Sequence, residues 1–185
     1  MAKFDIAYQL TARSEGGYAN HPKDSGGETA FGLTRRDWPN WSGWLVIDRL
    51  KRLYGVPKAI PMVNANQELK KSVRAVFKAN YWDICLCDQV KDQQVANQIF
   101  DTAINMGSGT AAKLMQRTAR VKVDLHVGPI TIGAVNAMNP AVFHARFIAG
   151  RKAIYDAIIR ANPSQIVFKK GWYSRLKPDY IKNIA

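Results

Sequence analysis

Apolar positions along this chain recur mostly at intervals of three and four residues, the spacing of helix faces. Phe4, Ala7, Tyr8, Leu10 and Ala12 form one stripe and predict a helix over 4–14, stopped by Gly16 and Gly17, one of them in a left-handed cap. The periodicity then lapses. Residues 18–34 are rich in Gly, Asn, Asp, Ser and Thr and predict turns or a small β-hairpin, with Thr29, Ala30 and Phe31 as strand residues and Gly32 as the stop. Trp38, Trp41, Trp44, Ile47, Leu50 and Leu53 predict helical segments separated by Pro39. Leu69, Val73, Val76 and Phe77 predict a helix over 66–80, and Val95, Ala96, Ile99, Phe100 and Ala103 another over 92–105. Gly107-Ser108-Gly109 breaks that helix, and Ser108 or Thr110 caps the next, which carries Leu114 and Met115. Pro129 opens a further helix, and Asn139-Pro140 and Asn162-Pro163 are cap-then-proline starts. Between those two, Phe143, Phe147, Ile154 and Ile158 form the apolar stripe of a long amphipathic helix, with Arg146, Lys152 and Arg160 toward solvent. The expectation is a mainly α fold with a short β-element early in the chain.

Composition sharpens this in two ways. An apolar fraction of 47% over 185 residues suffices for a folded core, and no uncharged apolar run is long enough for a spanning helix. Met1–Ile6 is interrupted by polar residues, so no signal-peptide core is expected there. Cys85 and Cys87, one residue apart, would close a strained ring and are expected as thiols; with His21, His126 and His144 scattered, no metal site and no cofactor is expected. The net charge of +13 is concentrated late: residues 1–107 hold 14 Lys/Arg against 11 Asp/Glu, residues 108–185 hold 13 against 3. So basic a surface attracts polyanions, with Arg117, Arg120, Lys122, Arg146, Arg151, Lys152, Lys169 and Lys170 as a solvated field. No zinc finger, phosphate loop or aromatic–basic RNA motif accompanies the charge, so a specific nucleic-acid partner is not expected. The only composition shift lies near Gly107 and divides the chain into regions 1–106 and 107–185, expected to pack as one compact unit.

Chemistry concentrates where the periodicity lapses. Glu15 stands at the end of the first helix before Gly16-Gly17-Tyr18, and Asp24 follows nine positions later, ahead of Gly26-Gly27-Glu28-Thr29. Two carboxyl groups in differing environments suit glycosidic bond cleavage: one stays protonated to donate, the other ionised to handle water or the developing cation.

The residues Ser14-Glu15-Gly16-Gly17-Tyr18, Asn20, Pro22, Asp24, Gly26-Gly27, Thr29 and Gly32-Leu33-Thr34 resemble the opening motif of the family 108 glycoside hydrolases. These are N-acetylmuramidases found among phage endolysins and bacterial lysozyme-like proteins. Leu33 stands where isoleucine is usual. Ile99-Phe100-Asp101, Asn105-Met106-Gly107, Gln116-Arg117, Gly128-Pro129, Thr131 and Phe168–Trp172 with Arg175 resemble the predicted peptidoglycan-binding region that follows this module. The order Glu15, Asp24, Thr29 is similar to that of phage-type lysozymes.

The resemblance implies a lysozyme-like fold and hydrolysis of the β-1,4 bond between N-acetylmuramic acid and N-acetylglucosamine in bacterial peptidoglycan. Glu15 would be the general acid, Asp24 would activate water or stabilise charge at C1, and Thr29 would hold the water. Glu28 is the rival second carboxylate, and a retaining or inverting outcome is left open. Tyr18, Trp82, Asn105 and Trp172 are candidate sugar or wall contacts, each with a core or cap role as the alternative. A lytic transglycosylase and a non-enzymatic cationic protein binding the wall or an anionic lipid surface are the competing readings. A monomer is expected, held in the host cytoplasm before lysis and reaching the wall after holin-type permeabilisation.

Overall fold

The computed structural model of the protein describes residues 1–12, 16–20 and 27–176. The chain is mainly helical, with a small antiparallel sheet after the first helix. By its contacts it divides into two units: a smaller one, Thr11–Lys78, and a larger one, Met1–Leu10 with the chain from Ala79 onward.

The smaller unit holds strands β1 (Tyr18–Ala19), β2 (Thr29–Ala30) and β3 (Leu33–Thr34), in that spatial order. Ala30 opposes both Tyr18 and Leu33, and these three buried side chains form the inner face. Thr29 opposes Ala19 and Thr34 on the other face. Phe31 is not a strand residue: with φ of 51° and 88°, Phe31 and Gly32 form the two-residue turn between β2 and β3, the left-handed pair that a right-twisted hairpin favours.

Helix α2 (Gly43–Ala65) runs further than the sequence pattern suggests, because Pro57 and Pro61 lie inside it. Gly55, at φ 74° and ψ 158°, leaves the helical region and splits it into two stretches. Pro57 then falls in the first turn of the second, where its missing N–H is not needed. Trp41 and Trp44 meet edge to face at 4.9 Å before and within the first turn of α2, and a Cβ on Gly43 would lie 2.2 Å from the Trp41 ring. Helix α3 (Gln67–Phe77) is capped by Asn66, whose Oδ1 accepts from the Leu69 N–H at 3.0 Å. It buries Leu69, Val73 and Phe77, the face the sequence marks.

The larger unit takes helix α1 (Phe4–Ala12) as far as Leu10, and there the Phe4 ring meets Trp82 and Phe100 edge-on, each at 5.6 Å. Helix α4 (Gln93–Met106), capped by Asp92, is buried at every position from Val95 to Ala103 and packs against α5 (Ser108–Ala119) and α7 (Pro140–Ala161). The residue before α5 is Gly107, at φ 87°; Ser108 does not cap the helix but donates from Oγ to the Asn80 carbonyl at 2.9 Å. Buried Gln116 organises the following loop. Its Oε1 accepts from the Asp124 and Leu125 N–H groups, and its Nε2 donates to Asp124 Oδ1 and the His126 carbonyl. Helix α6 (Pro129–Ala137) begins at Pro129 as the sequence predicts. The Asn139 and Asn162 side chains cap α7 and the 3₁₀ segment Pro163–Phe168, which leads into α8 (Lys169–Ser174).

On α7 the buried side chains are Phe143, Phe147, Arg151 and Tyr155. Arg151, expected in the solvated field, is instead fully buried. Ile158, expected in the core, is 39% exposed. The four-residue spacing continues through Arg151 because a carboxylate is waiting for it on α4, as described below.

Candidate active site and wall-binding region

Glu15 and Asp24 lie outside the described residues; among the described ones, a carboxylate network centres on Glu28. Glu28, immediately before β2, has Oε1 accepting from the Tyr18 hydroxyl at 2.5 Å and from Lys51 Nζ at 2.8 Å, while Oε2 pairs with Arg35 Nε at 2.5 Å. Arg35 also grips Asp48 with two hydrogen bonds of 3.0 and 2.7 Å, and its guanidinium lies 4.6 Å from the Trp44 ring centre. Lys51 closes the ring onto Asp48 at 2.8 Å. Strands β1 and β2 and helix α2 are thereby tied together through charge-assisted bonds.

Burial alone would raise the pKa of Glu28, but hydrogen bonds from Lys51 and Tyr18 and the charges of Lys51 and Arg35 outweigh it and hold the carboxyl below its usual range. Asp48 falls to about 2, chiefly through Arg35. Burial, then the bond to ionised Glu28, pushes Tyr18 up to about 12. Glu28 is therefore an ionised carboxylate whose oxygens already have partners, an arrangement that fixes structure and offers no proton.

Two of the four expected contact residues are corrected here. Tyr18 is buried with its hydroxyl on Glu28 and its N–H on Asn64 Oδ1 at 2.7 Å. Trp82 is fully buried in the π-helical turn Lys78–Trp82, its indole N–H donating to Asp88 Oδ1 at 2.7 Å. Neither presents a ring face to a sugar, because each ring fills core space. Thr29 sits half-buried on the outward face of β2.

The other two, Asn105 and Trp172, lie 67 positions apart in sequence yet converge on one residue that the sequence pattern did not single out. Tyr155 donates its hydroxyl to Asn105 Oδ1 at 2.7 Å, and its ring stacks on Trp172 at 5.1 Å. Trp172 stacks in turn on Phe168 at 5.8 Å. Asn105 is exposed and Trp172 half-buried, so this stack reaches the surface. Beneath it, Arg151 Nη1 pairs with Asp101 Oδ2 at 2.6 Å, Arg151 Nε donates to the Tyr155 hydroxyl at 3.1 Å, and Arg175 Nη1 holds Asp101 Oδ1 at 2.7 Å. A signal for this network was present: Asp101 is the only charge in α4, and a carboxylate in a helix buried all round needs a cationic partner. Which of 27 Lys/Arg would provide it was not marked.

Cys85 and Cys87 are buried thiols, and burial followed by the neighbouring thiol raises Cys87 well above its ordinary value, which makes it unreactive.

The chain is mainly helical with a small sheet after its first helix, and the Glu15 motif falls between those two elements in sequence. Residues 8–107, more than half of the chain, match the glycosyl hydrolase 108 family, and the chain belongs to that family. It is an enzyme of the peptidoglycan-hydrolysing, muramidase class. Residues 110–177 match the family described as a predicted peptidoglycan domain, consistent with interaction with the bacterial cell wall. The solved structure of Brucella abortus SagA is similar over 97% of this chain and 91% of that chain, at 28% identity and a TM-score of 0.68. No match was found among curated proteins.

Proposed function

We propose that this protein hydrolyses the β-1,4 bond between N-acetylmuramic acid and N-acetylglucosamine, with Glu15 as general acid. The observation that carries this reading is the Ser14-Glu15-Gly16-Gly17-Tyr18 motif, which falls inside the family match. Asp24 is the second carboxylate, activating water or stabilising charge at C1. The environment of Glu28 supports that choice, since its oxygens already bind Tyr18, Lys51 and Arg35. Thr29 projects from the face of β2 opposite the buried one, where its hydroxyl is suited to orient the attacking water.

The test is release of reducing ends from purified peptidoglycan, with mass spectrometry of the products. Glu15→Gln should lower the rate by about 10²–10⁴-fold, the usual weight of a positioned acid, while its thermal unfolding stays that of the wild type. Wild-type rates in that variant would reject the assignment. Anhydromuramyl products, lighter by one water, would replace hydrolysis by transglycosylation.

A further inference from the structure

Helices α5 and α7 enclose an open groove of about 700 Å³, well within the range of sites that hold peptides and small ligands. Its floor is aliphatic, with three alanines set among larger side chains: Leu114 from α5, then Ala153, Ile154, Ala157, Ile158 and Ala161 from α7. The helices touch at its base, where a Cβ on Gly150 would lie 2.9 Å from Leu114 Cδ2. Arg117, Arg120 and Arg146 stand around it, all exposed. Among the described residues none of the three has an ion-pair partner, in contrast to Arg35, Arg151 and Arg175, and no acidic side chain lines the groove.

The chemistry of these walls selects an occupant. Pyranose rings bind on aromatic faces and between amide and carboxylate groups; the groove has none of these. Its three guanidinium groups match carboxylates, which they can hold bidentately, and its aliphatic floor, with Ala153, Ala157 and Ala161 leaving shallow recesses, matches small methyl groups. Within the wall polymer, that combination belongs to the peptide stems, short and alanine-rich with free carboxylates, and not to the glycan. We propose that the α5–α7 groove binds the peptide stem of peptidoglycan, placing recognition of the peptide in the larger unit. This inference rests on the wall-hydrolase reading and extends it by naming the moiety that the second region recognises.

The experiment is calorimetric titration of the full-length protein with the free stem tetrapeptide released by amidase from a diaminopimelate-type wall. A parallel titration uses the same peptide with its carboxylates amidated. The wild type should bind the free acid saturably and the amidated form at least about tenfold more weakly. Arg117→Gln combined with Arg146→Gln should weaken binding similarly, and Ala157→Trp, which fills the floor, should abolish it. No binding by the wild type, or undiminished binding by both folded variants, overturns the proposal. So does binding to phosphatidylglycerol vesicles, but not to peptide, that is lost in the same variants; this would assign the groove to lipid. Should the variants fail to fold, a photoreactive tetrapeptide on the wild type must label α5 and α7, and labelling elsewhere refutes the site. The titration involves no turnover. Peptide binding without reducing-end release would therefore remove the hydrolase reading alone, and release without peptide binding would remove the groove alone.

Discussion

At Gly17 the Glu-Gly-Gly motif acquires a steric meaning that differs from a helix cap. The backbone there is not left-handed; instead, an added Cβ would sit 2.5 Å from Asn64 Oδ1, the atom that accepts the Tyr18 N–H. Any larger residue must push that carboxamide away and break the bond holding β1 to α2. Gly17→Ala should therefore destabilise the protein by about 1–2 kcal/mol, read as a lower midpoint in chemical denaturation. Tolerance of alanine without loss would show that Asn64 is free to move. Glu28 offers a second residue-scale contrast. In sequence it is the rival second carboxylate; in the fold both of its oxygens are held, by Tyr18, Lys51 and Arg35. Removing its charge leaves Lys51 and Arg35 half-buried with one fewer carboxylate each, so Glu28→Gln should cost about 2 kcal/mol.

Among the elements, α7 shows how a helical stripe can be read correctly in period and wrongly in content. Phe143 and Phe147 face the core as the pattern predicts, and the same face continues through Arg151 and Tyr155. Arg151 belongs there because Asp101, on the buried helix α4, needs a counter-charge inside the fold. Ile154 and Ile158 are displaced to the groove that α7 forms with α5. Arg151→Met keeps the length and removes the charge, leaving Asp101 with Arg175 alone among the partners described above. A loss of about 3 kcal/mol is expected in denaturant unfolding. Combining it with Asp101→Asn should recover part of that loss, because the unpaired charge disappears. No recovery would mean that Arg151 contributes mainly by packing.

Across the molecule, pH should act through the charged ring of the smaller unit. Glu28 and Asp48 titrate below ordinary carboxylates in the folded state, so the unfolded chain binds more protons as the solution is acidified. Their stabilisation is complete above the ordinary carboxylate range and disappears as pH falls through their depressed folded values, about 2 for Asp48. At the alkaline end, Tyr18 ionises more readily unfolded than folded, so stability should decline as pH rises above 10 toward about 12. Denaturant midpoints followed by tryptophan fluorescence across pH test both limbs. Glu28→Gln should flatten the acid limb and leave it shallower than that of the wild type. An unchanged acid limb would locate the pH-sensitive carboxylates elsewhere.

The covalent order of residues determined where most of the helices lie, where α6 and α7 begin, and which family the chain joins. Side-chain period, capping chemistry and a short motif are local properties, legible within a dozen residues. Tertiary structure alone decided which charges are inside. Asp101 with Arg151, and Glu28 with Arg35 and Lys51, are pairings across many positions of a chain with 27 basic residues. The same holds for Tyr18 and Trp82, whose rings suit a sugar or a core equally well until neighbouring elements close over them. Distance in space selects a partner for a buried charge or ring, and that distance is set only when the helices pack.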